Sequence, residues 1–160
     1  MLIRVETLAD WQGIEKLLIA FDPLKKQADC VAKLRENGQT TLSLVACNED
    51  GELIGHAFVS SLQQDVWCGG WQMVLPITAR DTQMAHDLVY QIIEDLGELG
   101  YPAVFWQGNL IEWQNVGAVR WEGQPLVGFD SSQGDLLCLS LMPEGLDINT
   151  SIALCPEFSC

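Results

Sequence analysis

Residues 77–101 combine side chains that could bind phosphate with the start of an amphipathic helix. Arg80, Thr82 and His86 surround the predicted helix N-terminus, where free backbone N–H groups and the helix dipole favour an anion. Each also has an ordinary structural interpretation, with Arg80 and His86 as solvated surface groups and Thr82 as a helix cap. Asp81 is an equally good cap, and its carboxylate would fill the anion position of the helix internally.

Two further side chains have the chemistry of a general base. His56 lies in the second strand of a predicted hairpin, where strand alternation puts it on one face with Ile54 and Phe58. Glu112 follows a later strand, in a loop or short helix. Neither has a spacing that requires catalysis, so a semi-buried structural histidine and a surface carboxylate are the competing interpretations. A hydrolase is disfavoured because the chain has no G-x-S-x-G motif and only 2 histidines.

The cysteine pattern predicts no metal site. None of the 6 cysteines forms a C-x-x-C pair, and none has a histidine at metal-ligand spacing. We expect reduced, mostly buried thiols, with Cys160 accessible to oxidation. The cysteines are Cys30, Cys47, Cys68, Cys138, Cys155 and Cys160.

The charge balance limits the possible partners. The chain has 8 Lys+Arg against 22 Asp+Glu, a net charge of −14. Such a surface repels nucleic acid and favours a small amine, a polyamine or a basic peptide, although the charge could also serve solubility alone. No apolar run reaches the ~20 residues of a membrane helix, and the N-terminus lacks signal-peptide features. We therefore expect a cytoplasmic protein whose residues 1–160 form one domain.

The predicted elements give a mixed α/β fold. Their order is strand, two helices, hairpin, strand, helix, strand, short helix and two late strands, followed by an irregular tail. This order predicts a central mixed sheet of about six to seven strands with helices on both faces. Strand 70–76, helix 81–98 and strand 101–106 form a right-handed crossover. Ligands of such sheets bind beyond the strand carboxyl ends, which puts the start of this helix at the expected site.

Residues 73–89 resemble the cofactor-binding turn of the GNAT acetyltransferase superfamily. A small bacterial branch of that family reads L-A-V-x-x-x-x-R-G-x-G-x-A-x-x-L-V here, and the window aligns without a gap. The matching residues are Arg80, Ala85, Leu88 and Val89, whereas Asp81 and Gln83 stand at the two glycine positions. The hairpin around LVACNEDGELIGHAFVS, the segment GELGYPAVFWQGN and the C-terminal region extend the resemblance over nearly the whole chain.

The resemblance implies an acetyl-CoA site. Backbone groups of Val74 and Leu75 would hold the pantetheine arm. The amides that would face the pyrophosphate belong to Arg80, Asp81, Thr82, Gln83, Met84 and Ala85. Glycine allows positive φ and close approach at such a turn. A carboxylate about 4 Å from a phosphate charge costs roughly 1–4 kcal/mol, so Asp81 would weaken binding.

The resemblance also leaves the usual acid of the reaction without a match. Many GNAT enzymes use a tyrosine after the fifth strand to protonate the departing CoA thiolate, and Trp113 stands there in this chain. An indole N–H donates a hydrogen bond but is not a usable acid near neutral pH. We therefore expect an N-acyltransferase of weak or absent activity. The alternative is a non-catalytic domain that binds a basic or amine ligand. In either case we expect a monomer or homodimer.

Tryptophans around the expected cleft suggest an aromatic wall. Trp106, Trp113 and Trp121 lie in or near that region, and Trp67 and Trp71 flank the fourth strand. Core packing is the default explanation, but one cluster lining the cleft would suit an apolar or cationic ligand.

Overall fold

A seven-stranded mixed sheet forms the centre of the computed structural model, which describes residues 1–64 and 70–159. Seven strands belong to this sheet, and β4 and β9 form a separate pair. The strands are β1 (Leu2–Val5), β2 (Leu42–Cys47), β3 (Leu53–Ser61), β4 (Gln63–Gln64), β5 (Trp71–Ala79), β6 (Ala103–Gly108), β7 (Val119–Arg120), β8 (Asp135–Ser140) and β9 (Ile152–Ala153). The sheet order is β1-β2-β3-β5-β6-β8-β7, and β5 and β6 are its parallel pair. The predicted mixed sheet is confirmed.

Helices cover both faces of this sheet, as predicted. They are α1 (Trp11–Phe21), α2 (Lys26–Glu36), α3 (Thr82–Leu99) and the short α4 (Leu110–Trp113). The 3-10 helices are Leu8–Asp10, Gln114–Val116, Ser131–Gln133 and Pro156–Ser159. Apolar residues of α3 pack with Val74, Val104 and Leu137 on one face, whereas α1, α2 and the C-terminal segment cover the other.

Two terminal segments differ from the sequence expectation. The first helix begins with a 3-10 turn, Leu8–Asp10, whose start is capped where the Asp10 carboxylate accepts the Thr7 N–H at 2.7 Å, and α1 follows from Trp11. The tail is more regular than expected, since β9 pairs antiparallel with β4. Ile152 and Leu154 are buried there, so the segment is ordered by apolar contacts with distant residues.

The hairpin and the helix ends follow the predicted chemistry. The Asn48 side-chain oxygen accepts the N–H groups of Asp50 and Glu52, and Gly51 has a φ of 80°. Helix α3 ends at Gly100, whose φ of 87° is left-handed. Gly55 lets α3 approach the sheet, since a Cβ there would lie 2.7 Å from Met84 Sδ.

Candidate functional site

The start of α3 is capped by the carboxylate that replaces a turn glycine. Asp81 is the N-cap, and its Oδ1 accepts the Met84 N–H at 2.9 Å. The Ala85 N–H donates to the Asp81 carbonyl at 3.2 Å. The Thr82 and Gln83 amides, the first two of the helix, have no intrahelical acceptor by helix geometry. Of the two candidate caps, Asp81 is therefore the one that caps α3, and its carboxylate leaves the backbone N–H groups of Thr82 and Gln83 uncapped.

Exposed side chains surround this helix end. Arg80 Nε lies 3.8 Å from Asp81 Oδ2, and the two side chains are 65% and 56% exposed. An ion pair in this much water contributes little stability, so Arg80 stays available to a ligand. The side-chain Nε2 of Gln83 donates to Asp87 Oδ1 at 3.0 Å along the helix surface.

Strands β5 and β6 stop pairing halfway along their length. Their last pair is Val74 with Trp106, although β5 continues to Ala79 and β6 to Gly108. The β3–β5 register shifts at the same level, between Ala57 and Val59. Val74 and Leu75 therefore lie where the two strands open, next to a strand edge that β6 no longer covers.

A cavity of about 500 Å³ lies at this opening. The α1–α2 connection, β5, β6 and the C-terminal segment all contribute to it. Its lining residues are Phe21, Asp22, Lys26, Gln27, Cys30, Leu75, Pro76, Gln107, Gly128, Phe129, Asp130, Gln133, Leu154 and Phe158. Sequence reasoning identified only Leu75 among them, because the other residues come from segments far apart in the chain.

Gln107 fixes one wall of the cavity. Its Nε2 donates to the Asp130 carbonyl at 2.7 Å and to the Gly134 carbonyl at 3.1 Å. Asp130 Oδ1 accepts the Ser132 N–H at 3.0 Å, and hydrogen bonds from Ser132 lower the pKa of Asp130. This carboxylate is therefore charged at neutral pH.

Trp113 belongs to an aromatic cluster between α3 and α4. It is 4% exposed, and its ring centroid lies 4.1 Å from that of His86 and 5.4 Å from that of Trp106. Tyr90 lies 6.0 Å away. Gly108 makes room for this packing, because a Cβ there would lie 2.7 Å from Trp113 Nε1. Trp113 thus fills this space as a packed apolar ring.

Core packing, the default explanation, describes Trp71, Trp106, Trp113 and Trp121, and the alternative of one tryptophan cluster lining the cleft is wrong for these residues. Trp106 and Trp113 pack on the α3 face, whereas Trp71 and Trp121 pack with Phe105 on the opposite face. The alternation of β6 divides them, since Phe105 and Trp106 point to opposite sides of the sheet. Trp67 and the cysteines Cys68 and Cys160 lie outside the described residues.

His56 lies in the core under α1 and α2. It is fully buried, its Nε2 is 2.9 Å from Ser43 Oγ, and desolvation lowers its pKa below 6.5. It shares a face with Phe58 but not with Ile54, which packs on the α3 side because the β2–β3 register shifts next to it. Burial supports its structural interpretation. Glu112 is exposed on α4.

A mostly buried ion pair between Glu6 and Arg35, which sequence reasoning missed, lies beside His56. Glu6 accepts from Arg35 Nη2 at 2.6 Å and from Trp11 Nε1 at 2.6 Å, and its Oε1 lies 3.9 Å from His56 Nε2. Burial alone would raise the pKa of Glu6, but the His56, Arg35 and Ser43 side chains outweigh it and lower the pKa to about 2. The network links the end of β1 to α2.

Within residues 1–64 and 70–159 no three His, Cys, Asp or Glu side chains are grouped to hold a metal ion. No helix in the same ranges has the length and apolarity to cross a membrane.

Comparisons with known proteins identify the fold and the family. An uncharacterised N-acetyltransferase of Escherichia coli, YhbS, is 36% identical over 113 residues, which are 68% of this chain and 68% of that protein. The crystal structure of Escherichia coli YhbS with CoA matches 99% of this chain and 92% of its own at a TM-score of 0.84 and 27% identity. No protein-family model matches the chain.

A second solved structure has the same fold at lower identity. A GNAT acetyltransferase of Brucella melitensis, in complex with acetyl-CoA, has a TM-score of 0.79 over 98% of this chain and 97% of its own, at 23% identity. From the similarity to YhbS in sequence and structure, the chain belongs to the GNAT family of N-acetyltransferases.

Proposed function

We propose that this protein transfers an acyl group, acetyl in the first instance, from acyl-CoA to an amine. The opening between β5 and β6 at Val74 carries the proposal, because it joins an uncovered strand edge to a cavity with two carboxylates. The related YhbS structure contains CoA, and the structurally similar Brucella protein contains acetyl-CoA. An amine acceptor fits the acidic lining and the net charge of −14.

The residues around the opening suit acetyl-CoA in part. The backbone of Val74 and Leu75 would bind the pantetheine arm as a neighbouring strand would, and the Thr82 and Gln83 amides with Arg80 would meet the pyrophosphate. Asp81 opposes this, since its negative charge stands at the same helix end. The site therefore fits the cosubstrate with reduced affinity.

The chain's own residues act on the acceptor. When bound, acetyl-CoA would supply a thioester carbonyl for attack by the amine nitrogen. As the C–N bond forms, the C–S bond would break with CoA leaving as the thiolate, and the proton lost from the nitrogen would go to the thiolate or to solvent. Asp22 and Asp130 would attract the ammonium form, which must lose a proton to solvent before it can attack. Trp113 gives this chain no tyrosine acid at the position that the family resemblance assigns, so we expect slow turnover.

Calorimetric titration with acetyl-CoA tests the proposal. We expect micromolar binding by the native protein. Asp81→Asn keeps an oxygen that can cap the helix but removes the charge, so it should tighten binding about five-fold or more. Glu94→Gln removes the same charge from an exposed part of α3 and should change the affinity much less.

The same titration separates the non-catalytic alternative. If the native protein does not bind acetyl-CoA but Asp81→Asn does, the fold has kept its turn while its own carboxylate blocks the cosubstrate. Failure of both proteins to bind would overturn the proposal. Binding by the native protein, followed by acetylation of an added amine, would establish the reaction.

A further inference from the structure

The cavity beside the strand opening has an apolar wall, part of which also packs against the core. Phe21, the last residue of α1, is 54% exposed at this cavity. Phe129 and Phe158 are half-buried there, and Leu154 is buried beneath them. Four apolar side chains from three distant segments thus face one space of about 500 Å³. Ligand cavities that hold small molecules are lined in this way.

Charged groups stand at the same cavity. Asp22 Oδ2 accepts the Gln27 N–H at 3.0 Å, which fixes the carboxylate at the start of α2. Asp130 is held by Ser132 on the opposite segment. Lys26 is the cation of the lining, so the two carboxylates leave a net charge of −1. This charge suits one ammonium group, and Lys26 would repel a second.

We infer that the acceptor is a small primary amine carried on an aryl or branched alkyl group. The inference rests on the proposed function and specifies its second substrate. The ammonium group lies between Asp22 and Asp130, and the apolar body lies against Phe21, Phe129 and Phe158. Polyamines and aminoglycosides match this cavity poorly, because they bring several cations and little apolar surface.

Calorimetric titration with four matched ligands tests this specificity on the full chain, with and without saturating CoA. 2-Phenylethylamine should bind at least about ten-fold more tightly than ethylamine, which lacks the ring. It should also bind more tightly than 2-phenylethanol, which lacks the charge, and than spermidine, which has three amines. Acetylation rates with acetyl-CoA should likewise be highest for 2-phenylethylamine among the three amines.

Two variants with matched controls connect the specificity to the cavity. Asp22→Asn should weaken the binding of 2-phenylethylamine about five-fold or more and leave the affinity for 2-phenylethanol unchanged. Glu94→Gln should change the affinity for neither ligand. Phe21→Ala should weaken the binding of both aromatic ligands about three- to ten-fold. Leu99→Ala removes a similarly exposed apolar side chain at the far end of α3 and should leave the affinity for both ligands unchanged.

The outcomes distinguish this inference from the proposed function. If acetyl-CoA binds but ethylamine or spermidine matches 2-phenylethylamine, the inferred specificity is wrong and the acetyltransferase function stands. Equal effects of Asp22→Asn and Glu94→Gln would also overturn it. If CoA does not bind while the free protein still selects 2-phenylethylamine, the amine site stands and the proposed function falls.

Discussion

Glu6 is a charged residue that the fold has nearly enclosed. Its side chain is 10% exposed, with Arg35 at 2.6 Å and neutral His56 at 3.9 Å. A buried carboxylate is tolerated only when its partners replace the water it has lost. Arg35 also lies over the Trp11 ring at 5.0 Å, so the ion pair is covered by an aromatic side chain.

The stability of the protein should fall in acid because of this network. The folded pKa of Glu6, about 2, lies below the unfolded value of 4.5. Its contribution, roughly 3 kcal/mol, is therefore complete above pH 4.5 and lost as the pH falls towards 2. His56 acts in the same direction below pH 6.5, since its lowered pKa keeps the folded state from taking up the proton.

Urea unfolding between pH 7 and 3 measures this dependence. Glu6→Gln should be less stable than the native protein at pH 7 and should lose less stability on acidification. Glu49→Gln, in the exposed hairpin turn, should follow the native curve. Parallel pH curves for the native protein and Glu6→Gln would contradict the assignment.

Helix α3 is the element that sequence reasoning predicts best. The expected range, 81–98, differs from Thr82–Leu99 by one residue at each end. Helical spacing of apolar residues, a capping carboxylate and a terminal glycine are all local signals. The cavity has no such signal, because Phe21, Phe129 and Phe158 meet only in the folded chain. The same holds for the two-residue strands β4, β7 and β9, which depend on their partners.

The two glycines at the end of α3 should respond oppositely to alanine. Gly97 lies inside the helix with open space around its missing Cβ, so Gly97→Ala should stabilise the protein by about 0.5–1 kcal/mol. Gly100 has a left-handed backbone and donates its N–H to the Gly97 carbonyl. Gly100→Ala should destabilise the protein by about 1 kcal/mol. Thermal or urea unfolding measures both, and changes of the same sign would refute this account of the helix end.

The whole molecule carries a net charge of −14. This field repels any phosphate ligand at distances beyond the few groups that touch it, until salt screens it. Acetyl-CoA must therefore approach against the field.

That residues 1–160 form one domain stays a prediction, which a single cooperative unfolding transition would support.

Acetyl-CoA should bind more tightly as salt is added. Raising the ionic strength from about 10 to 200 mM shortens the Debye length several-fold and screens the repulsion, so the Kd should fall. Pantetheine, which lacks the phosphates, is the matched ligand and should show little salt dependence. If added salt instead weakens the binding of acetyl-CoA, the local attraction of Arg80 and the helix amides for the phosphates exceeds the repulsion by the net charge.

Two different sets of residues meet at the opening between β5 and β6, one for the cosubstrate and one for the proposed acceptor. The turn that would meet the cosubstrate is one continuous segment, residues 80–85, whereas the cavity that we propose for the acceptor draws on segments near 21–30, 107, 128–133 and 154–158. Leu75, whose backbone we propose for the pantetheine arm, also lines the cavity. Mutations can therefore accumulate in the cavity without touching the turn. A lineage with this architecture can exchange one acceptor for another while inheriting the same acyl donor.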